Sequence, residues 1–339
     1  MTERPTPEHP STCPRPQLRP LDEQHLRRRL VEQGPFARLE RVESIASTNA
    51  FLVQELARSG AAASGGGEPD AGWPHLSVLT AEEQTGGSGR LGRSWSSPKH
   101  ASLSTSVVLR PALPPQELSW ISLLAGVALT EVLREGHGIP ARLKWPNDVH
   151  VEGRKISGIL SVLAGGGPAA GGALVLGCGI NVLLTEDQLP TPASTSLLLE
   201  LRRLAGEDGL AGNGGHPRVG DDRPEVSAGA EQSGADLRTG LLASFLGRFA
   251  GILAVAEEKG SVDPLRPRIT AVMDTIGQQV RVELPDGTAR SGAAVGLDRD
   301  GALIVEVTHR RAAADQPWEE HPEGRRSFSA GDVVHLRRR

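Results

Sequence analysis

The chain has 339 residues, enough for a sizeable core and two domains. Its 37 basic and 41 acidic residues give a formal net charge of −4, which argues against a nucleic-acid or membrane partner held mainly by electrostatics. Cys13 and Cys178 stand alone, the histidines lack ligand spacing, and neither a signal peptide nor a run of about 18 apolar residues is evident; a soluble chain in the cytoplasm, without structural zinc, is the expectation.

Proline-rich residues 1–20 predict a disordered tail. "LDEQHLRRRLVEQG" (21–34) reads as a short helix, with Asp22 as its N-cap and Leu26 and Leu30 on one face. "FARLERVESI" is a strand, and "STNAFLVQELARSG" a helix opened by Ser47 or Thr48 and stopped at Gly60. After a flexible loop, "AAASGGGEPDAG", the strand "HLSVLTAEE" runs into the glycine-rich "GGSGRLGRSW" (86–95). "SLSTSVVLR" alternates, placing Leu103, Thr105, Val107 and Leu109 on one face. Residues 115–135 make the strongest helix, with Leu124, Ala128 and Val132 along one side.

"ARLKWPNDVHVEGRKISGILSVL" and "GALVLGCGINVLL" read as three strands, with turns at Pro146–Asp148 and Glu152–Gly153. Residues 204–235 are of low complexity and predict a disordered insertion. Leu237–Glu258 resume as a helix. From about Ile276, short strands split by "PDG", "DRDG" and "SAGD" predict a small β-barrel. The expected division is a tail over 1–20, a main domain over 21–262 and a barrel over 270–339.

The stretch "GGSGRLGRSW" matches two phosphate-binding patterns and satisfies neither. Gly87, Gly89 and Gly92 spell G-x-G-x-x-G, but a strand follows where that fingerprint needs a helix. A P-loop needs the same helix and a Lys-Ser/Thr pair that is missing. What remains is a glycine-hinged loop carrying Arg90, Arg93 and Trp95, residue types that suit a phosphate, a carboxylate and a flat ring.

"AEEQTGGSGRLGRSW", "KWPNDV", "KISGIL" and "GCGINV" occur in that order, each at a strand end or turn, after "STN" at 47–49. Together they resemble the signature of biotin–protein ligases (biotin–[acetyl-CoA-carboxylase] ligases). The resemblance covers about residues 37–339 and is strongest over 78–184. It implies an α+β fold, in which a mixed β-sheet flanked by helices, of the class II synthetase and biotin ligase type, precedes a C-terminal SH3-like β-barrel. It also implies the chemistry: biotin and ATP give biotinyl-5′-adenylate and pyrophosphate, and a lysine of a biotin carboxyl carrier protein then takes the biotin.

The residue roles follow from the resemblance. Ser47, Thr48 and Asn49, which alone would read as an ordinary N-cap, join Gln84, Gly87, Ser88, Gly89 and Gly158 around biotin. Arg90 holds the biotin carboxylate and the α-phosphate, Arg93 the nucleotide phosphates, and Trp95 packs against adenine. Lys155 lies between the two anions that must approach each other. "WPND" alone is a β-turn; in the family pattern Asn147 and Asp148 face the ligand, and Asp148 either orients Lys155 or receives the carrier lysine's proton. Asn181 is placed to read adenine's edge, with Gly177 and Gly179 keeping that strand end open. Cys178 reads as a small buried hydrophobe.

The family loop reads G-R-G-R, whereas here Ser88 replaces an arginine, which predicts weaker loop ordering or phosphate affinity. Mg²⁺ is expected with ATP, held by phosphates and water rather than by a protein metal site. The lipoate–protein ligases and octanoyltransferases share the fold, but "KWPND" with "GRLGRSW" favours biotin. Some biotin ligases carry an N-terminal winged helix; only about 35 residues precede the first core strand here, short of the roughly 60 such a domain needs, so no DNA partner is expected. The resemblance leaves room for a homodimer.

Overall fold

The computed structural model describes residues 18–63, 72–165, 172–206, 234–329 and 331–336. Most of the expected N-terminal tail, the loop over 64–71 and the insertion over 207–233 lie outside the described residues.

The chain enters through α1 (Glu23–Leu26), whose N-cap Asp22 accepts a hydrogen bond from the His25 amide, and which continues as a π-helical turn over Arg27–Glu32. β1 (Arg38–Val42) leads to α2 (Thr48–Ala63). Ser47 Oγ accepts the Ala50 amide at 3.3 Å, the bond expected of an N-cap. The helix runs through Gly60 instead of stopping there. β2 (Ser77–Ala81) is followed by a two-stranded ribbon, β3 (Gln84–Ser88) and β4 (Ser94–Ser97), joined by a 3₁₀ turn at Arg90–Gly92. The glycine-rich stretch is thus part of an antiparallel ribbon rather than an open loop.

β5 (Ser102–Leu109) alternates between two buried surfaces. Leu103, Val107 and Leu109 join the main apolar cluster, while Val108 joins a smaller one with Leu52, Leu56 and Trp73. A 3₁₀ turn over Pro115–Trp120 runs into α3 (Ile121–His137), which ends at Gly138 in the left-handed region. The two stretches expected to hold three strands hold four: β6 (Ala141–Lys144), β7 (Asp148–Val151), β8 (Arg154–Ala164) and β9 (Ala173–Asn181). α4 (Leu197–Ala205), α5 (Gly234–Lys259) and α6 (Arg266–Val272) complete the helices.

The main sheet has seven strands in the order β1-β2-β5-β9-β8-β7-β6. β1 and β2 are parallel and every other pair is antiparallel, which makes the sheet mixed as expected. β10 (Gln279–Glu283), β11 (Ala289–Leu297), β12 (Leu303–Arg311), β13 (Glu319–Phe328) and β14 (Asp332–His335) form a second, antiparallel sheet in the order β13-β12-β11-β10-β14. Val280, Leu303 and Val305 of this sheet belong to the same apolar cluster as Leu124 and Leu143. The second sheet thus shares the main apolar core, and Trp145, just after β6, donates its indole N–H to Gly301 O between β11 and β12.

α5 departs from the expectation of no membrane-length apolar segment. Asp236–Lys259 is long and apolar enough to cross a bilayer by length and composition. Its Leu241, Phe245, Phe249 and Leu253 are buried in the main cluster with α3, so here that apolarity fills the core.

Candidate functional site

A cavity of about 370 Å³ opens where β3, β4 and the ends of β7, β8 and β9 converge with β14. Every residue given a site role above lines it except Gly87. A side chain at Gly87 would strike the Gln84 side chain and the Trp95 carbonyl, so this glycine is what the ribbon's packing requires.

One end of the cavity is neutral. Gln84 Oε1 accepts from the Thr48 amide at 3.0 Å and from Thr48 Oγ1 at 3.2 Å. Ser106 Oγ donates to Thr48 Oγ1 or Asn49 Oδ1, each at 2.7 Å, and Asn49 Nδ2 donates to Leu160 O at 3.1 Å. These side chains are fixed by one another, so a ligand meets donors and acceptors that are already oriented.

The other end is charged. Four cations, Arg90, Arg93, Lys144 and Lys155, line it against two carboxylates, Asp148 and Asp332, which favours an anionic ligand. Lys155 Nζ lies 2.6 Å from Asp148 Oδ1 and 5.7 Å from the centre of the Trp95 ring. Burial works against the Asp148 carboxylate, but His150 and Lys155 outweigh it and hold its pKa below the usual value. Arg90 is lowered by burial, with Asp148 and Asp332 opposing, and remains a cation at any physiological pH. Arg93 pairs with Asp332 at 2.5 Å, which raises its pKa.

Backbone geometry places the lysine and the indole. Asp148 pairs with Gly158 across β7 and β8, and His150 pairs with Lys155 after a bulge, so carboxylate, imidazole and ammonium share one face. A Cβ at Gly158 would come 3.0 Å from Lys155 Nζ, and one at Gly179 would come 2.3 Å from the Trp95 ring. Both glycines let a side chain lie flat on the sheet. Trp95 Nε1 donates to Ser97 Oγ at 3.0 Å, leaving the ring as an apolar wall. Two expected ligand contacts are partly engaged within the protein: Asn147 Nδ2 donates to Ile159 O, and Asn181 Nδ2 to Thr195 O at 3.0 Å. Cys178 is buried and its thiol pKa is pushed up by burial, as suits a core residue.

The sequence reading missed Lys144, His150 and Asp332. Lys144 stands beside the motif it opens; burial lowers its pKa, while Asp148 and Asp332 raise it. His150 lies two positions after Asp148, and strand alternation alone puts both on one face. Nothing local marks Asp332, which arrives from the second sheet.

The sequence profile described as "Biotin/lipoate A/B protein ligase family" matches residues 64–181, and that described as "Biotin protein ligase C terminal domain" matches 275–308. The chain is 32% identical to the biotin–[acetyl-CoA-carboxylase] ligase of Mycobacterium tuberculosis over 94% of its own length and 97% of the relative's. It is 30% identical to the bifunctional ligase/repressor BirA of Escherichia coli over 77% of this chain and 67% of that protein. The biotin protein ligase of Aquifex aeolicus, solved in complex with biotin and ATP, superposes with a TM-score of 0.60 at 25% identity, covering 89% of this chain and 100% of that one. With an end-to-end relative, both profiles in order and the same fold, the chain belongs to the biotin–protein ligase family.

Proposed function

We propose that this chain activates biotin with ATP as biotinyl-5′-adenylate and transfers it to a lysine of a biotin carboxyl carrier protein. The observation that carries this reading is a single cavity with a neutral, pre-bonded end and a cationic end that holds the Lys155 ammonium. Biotin has a neutral ureido ring and an anionic carboxylate, so its two ends match the two ends of the cavity.

In the first step a biotin carboxylate oxygen attacks the α-phosphorus and pyrophosphate leaves. Two anions must approach, and Lys155 with Arg90 offsets their repulsion. Arg93 exchanges Asp332 for the outer phosphates, and Trp95 covers the adenine. Asn49, Gln84 and Thr48 orient the ureido ring; Asn147 and Asn181 border the nucleotide. In the second step the carrier amine attacks the acyl carbon and AMP leaves.

Mg²⁺ belongs to this reading as a partner of ATP that would shield phosphate charge, with Arg90, Arg93 and Lys155 supplying the cations on the protein side. Asp148 and Asp332 are each paired with a cation, a donor set that suits an ion carried by phosphates and water better than one in a carboxylate cage. The division into a biotin- and ATP-binding unit over 21–262 and a C-terminal unit over 270–339 is part of the proposal, as are a cytoplasmic location, no role for DNA or a membrane, and room for a homodimer.

The test is ATP–pyrophosphate exchange dependent on added biotin, with lipoate and octanoate as competing acids. Exchange with biotin alone is expected; exchange with lipoate or octanoate and not with biotin would overturn the substrate assignment.

A further inference from the structure

The carrier lysine presents a formal problem to this site. At neutral pH its amine is an ammonium and has no lone pair, yet the second step needs one. Asp148 is poorly suited to take that proton. It sits 2.6 Å from the Lys155 ammonium, and its environment favours the ionised form.

His150 is a second proton acceptor on the β7 wall of the cavity. Its ring lines the cavity, nearly all of the side chain is buried, and Nε2 has no hydrogen-bond partner. Nε2 lies 3.8 Å from Asp148 Oδ2, too long for a hydrogen bond but within ion-pair range. Its surroundings are Asp148 on β7, Lys155 directly across on β8, Arg142 directly across on β6, Lys144 farther along β6, and His335 on β14. Imidazole is the side-chain type that takes up and returns a proton near neutral pH.

Resting on the ligase reading above, we propose that His150, steadied by Asp148, accepts the proton that the carrier lysine must lose before it attacks biotinyl-adenylate. The neutral ring keeps its own proton on Nε2, toward Asp148, and offers the Nδ1 lone pair. The ammonium gives one proton to Nδ1. The freed amine lone pair forms the N–C bond at the acyl carbon, and the carbonyl electrons move to oxygen. As they return, the C–O bond to phosphate breaks and AMP leaves with that electron pair. The nitrogen's second proton passes to solvent, and the imidazolium then returns the first one to solvent. An imidazolium beside a carboxylate is stabilised by it, which is the part Asp148 plays.

The experiment separates proton removal from the rest of the site. His150→Gln and His150→Asn are compared with wild type in three assays: biotin-dependent ATP–pyrophosphate exchange, transfer from preformed biotinyl-adenylate to the carrier domain, and capture of the same adenylate by hydroxylamine. Hydroxylamine is largely unprotonated near neutral pH and needs no base before attack. Transfer to the carrier is expected to fall about 10²-fold in both variants, with exchange and hydroxylamine capture each within about threefold of wild type. Carrier transfer close to the wild-type rate in either variant overturns the proposal. So does a parallel loss in all three assays in both variants, since His150 would then be supporting the site as a whole. Absence of exchange in the wild type would instead sink the ligase reading itself.

Discussion

Lys155 combines three constraints at one position. Its backbone is tied to the loop before α4 through Ala193 and Thr195, its ammonium is paired with Asp148, and its stem passes over Gly158. Lys155→Ala is therefore expected to leave the fold intact and to slow biotin-dependent exchange by about 10² to 10³, the usual cost of removing one preorganised charge at a transition state. Exchange at the wild-type rate would remove Lys155 from the mechanism. Arg90 has a different part, because it reaches from the ribbon toward the second sheet at Gly331 O. Arg90→Gly is expected to weaken retention of the adenylate more than its formation, since Lys155 still supports the displacement. Incubation with biotin, ATP and an unrelated lysine-rich protein, followed by a biotin blot, should show stray labelling above wild type; equal release would show that Arg90 does not hold the intermediate. Asp148 adds a pH dependence. Its folded pKa is depressed, so it contributes stability above its unfolded value and loses that contribution as pH falls through the folded one. The Tm advantage of wild type over Asp148→Asn should accordingly be present at neutral pH and vanish on acidification below the ordinary carboxylate range.

Between residues and whole molecule stand the strands, and here the sequence was uneven as a guide. Most strands of the main sheet were readable because alternation and turn residues bracket them; Glu152 and Gly153, both at positive φ, mark the β7–β8 turn. The site motifs were readable because each falls at a strand end, where a short run of residue types is also a spatial unit. The β3–β4 ribbon was not readable: its glycines signal freedom, and only the close fit of Gly87 against Gln84 and Trp95 shows that this one is needed for pairing. β6 and β7 are each four residues long, too short to show a period, which is why four strands read as three. Gly179 offers a test at this scale. An alanine there would force Trp95 off the sheet, so Gly179→Ala is expected to raise KM for ATP by about tenfold, or ~1.4 kcal/mol, with secondary structure unchanged by circular dichroism. An unaltered KM would mean that Trp95 does not wall the nucleotide.

At the scale of the molecule, a buried ion pair joins distant segments around the end of β2. Glu82 and Arg238 are fully buried and 2.8 Å apart. Glu82 also accepts the Leu21 amide at 2.7 Å and Arg41 at 3.1 Å, while Arg238 donates to Ser102 O and Arg19 O. Removing Arg238 leaves Glu82 with Arg41 as its remaining cation and takes the donor from Ser102 O and Arg19 O, so Arg238→Met is expected to cost about 3 kcal/mol, read as a lower denaturation midpoint; a change within error would mean that Arg41 and water satisfy Glu82. The shared apolar cluster makes a parallel statement about the second sheet. Removing residues 276–339 would bare Trp120 and Trp145, which donate to Arg299 O and Gly301 O, and take Asp332 from the cavity, so the shortened chain is expected to be aggregation-prone and inactive in exchange. A monodisperse, active fragment would show that the sheet is an accessory. Arg93 and Asp332 meet across 239 positions of chain, and this has a consequence for synthesis. Domains generally fold in the order in which they leave the ribosome, so the seven-stranded sheet can close while β14 is still being made. A nascent chain at that stage holds Lys155 and Arg90 but lacks the wall that completes the cavity. Competence is then expected to arrive last, as β14 docks, with no adenylate formed by chains still short of it.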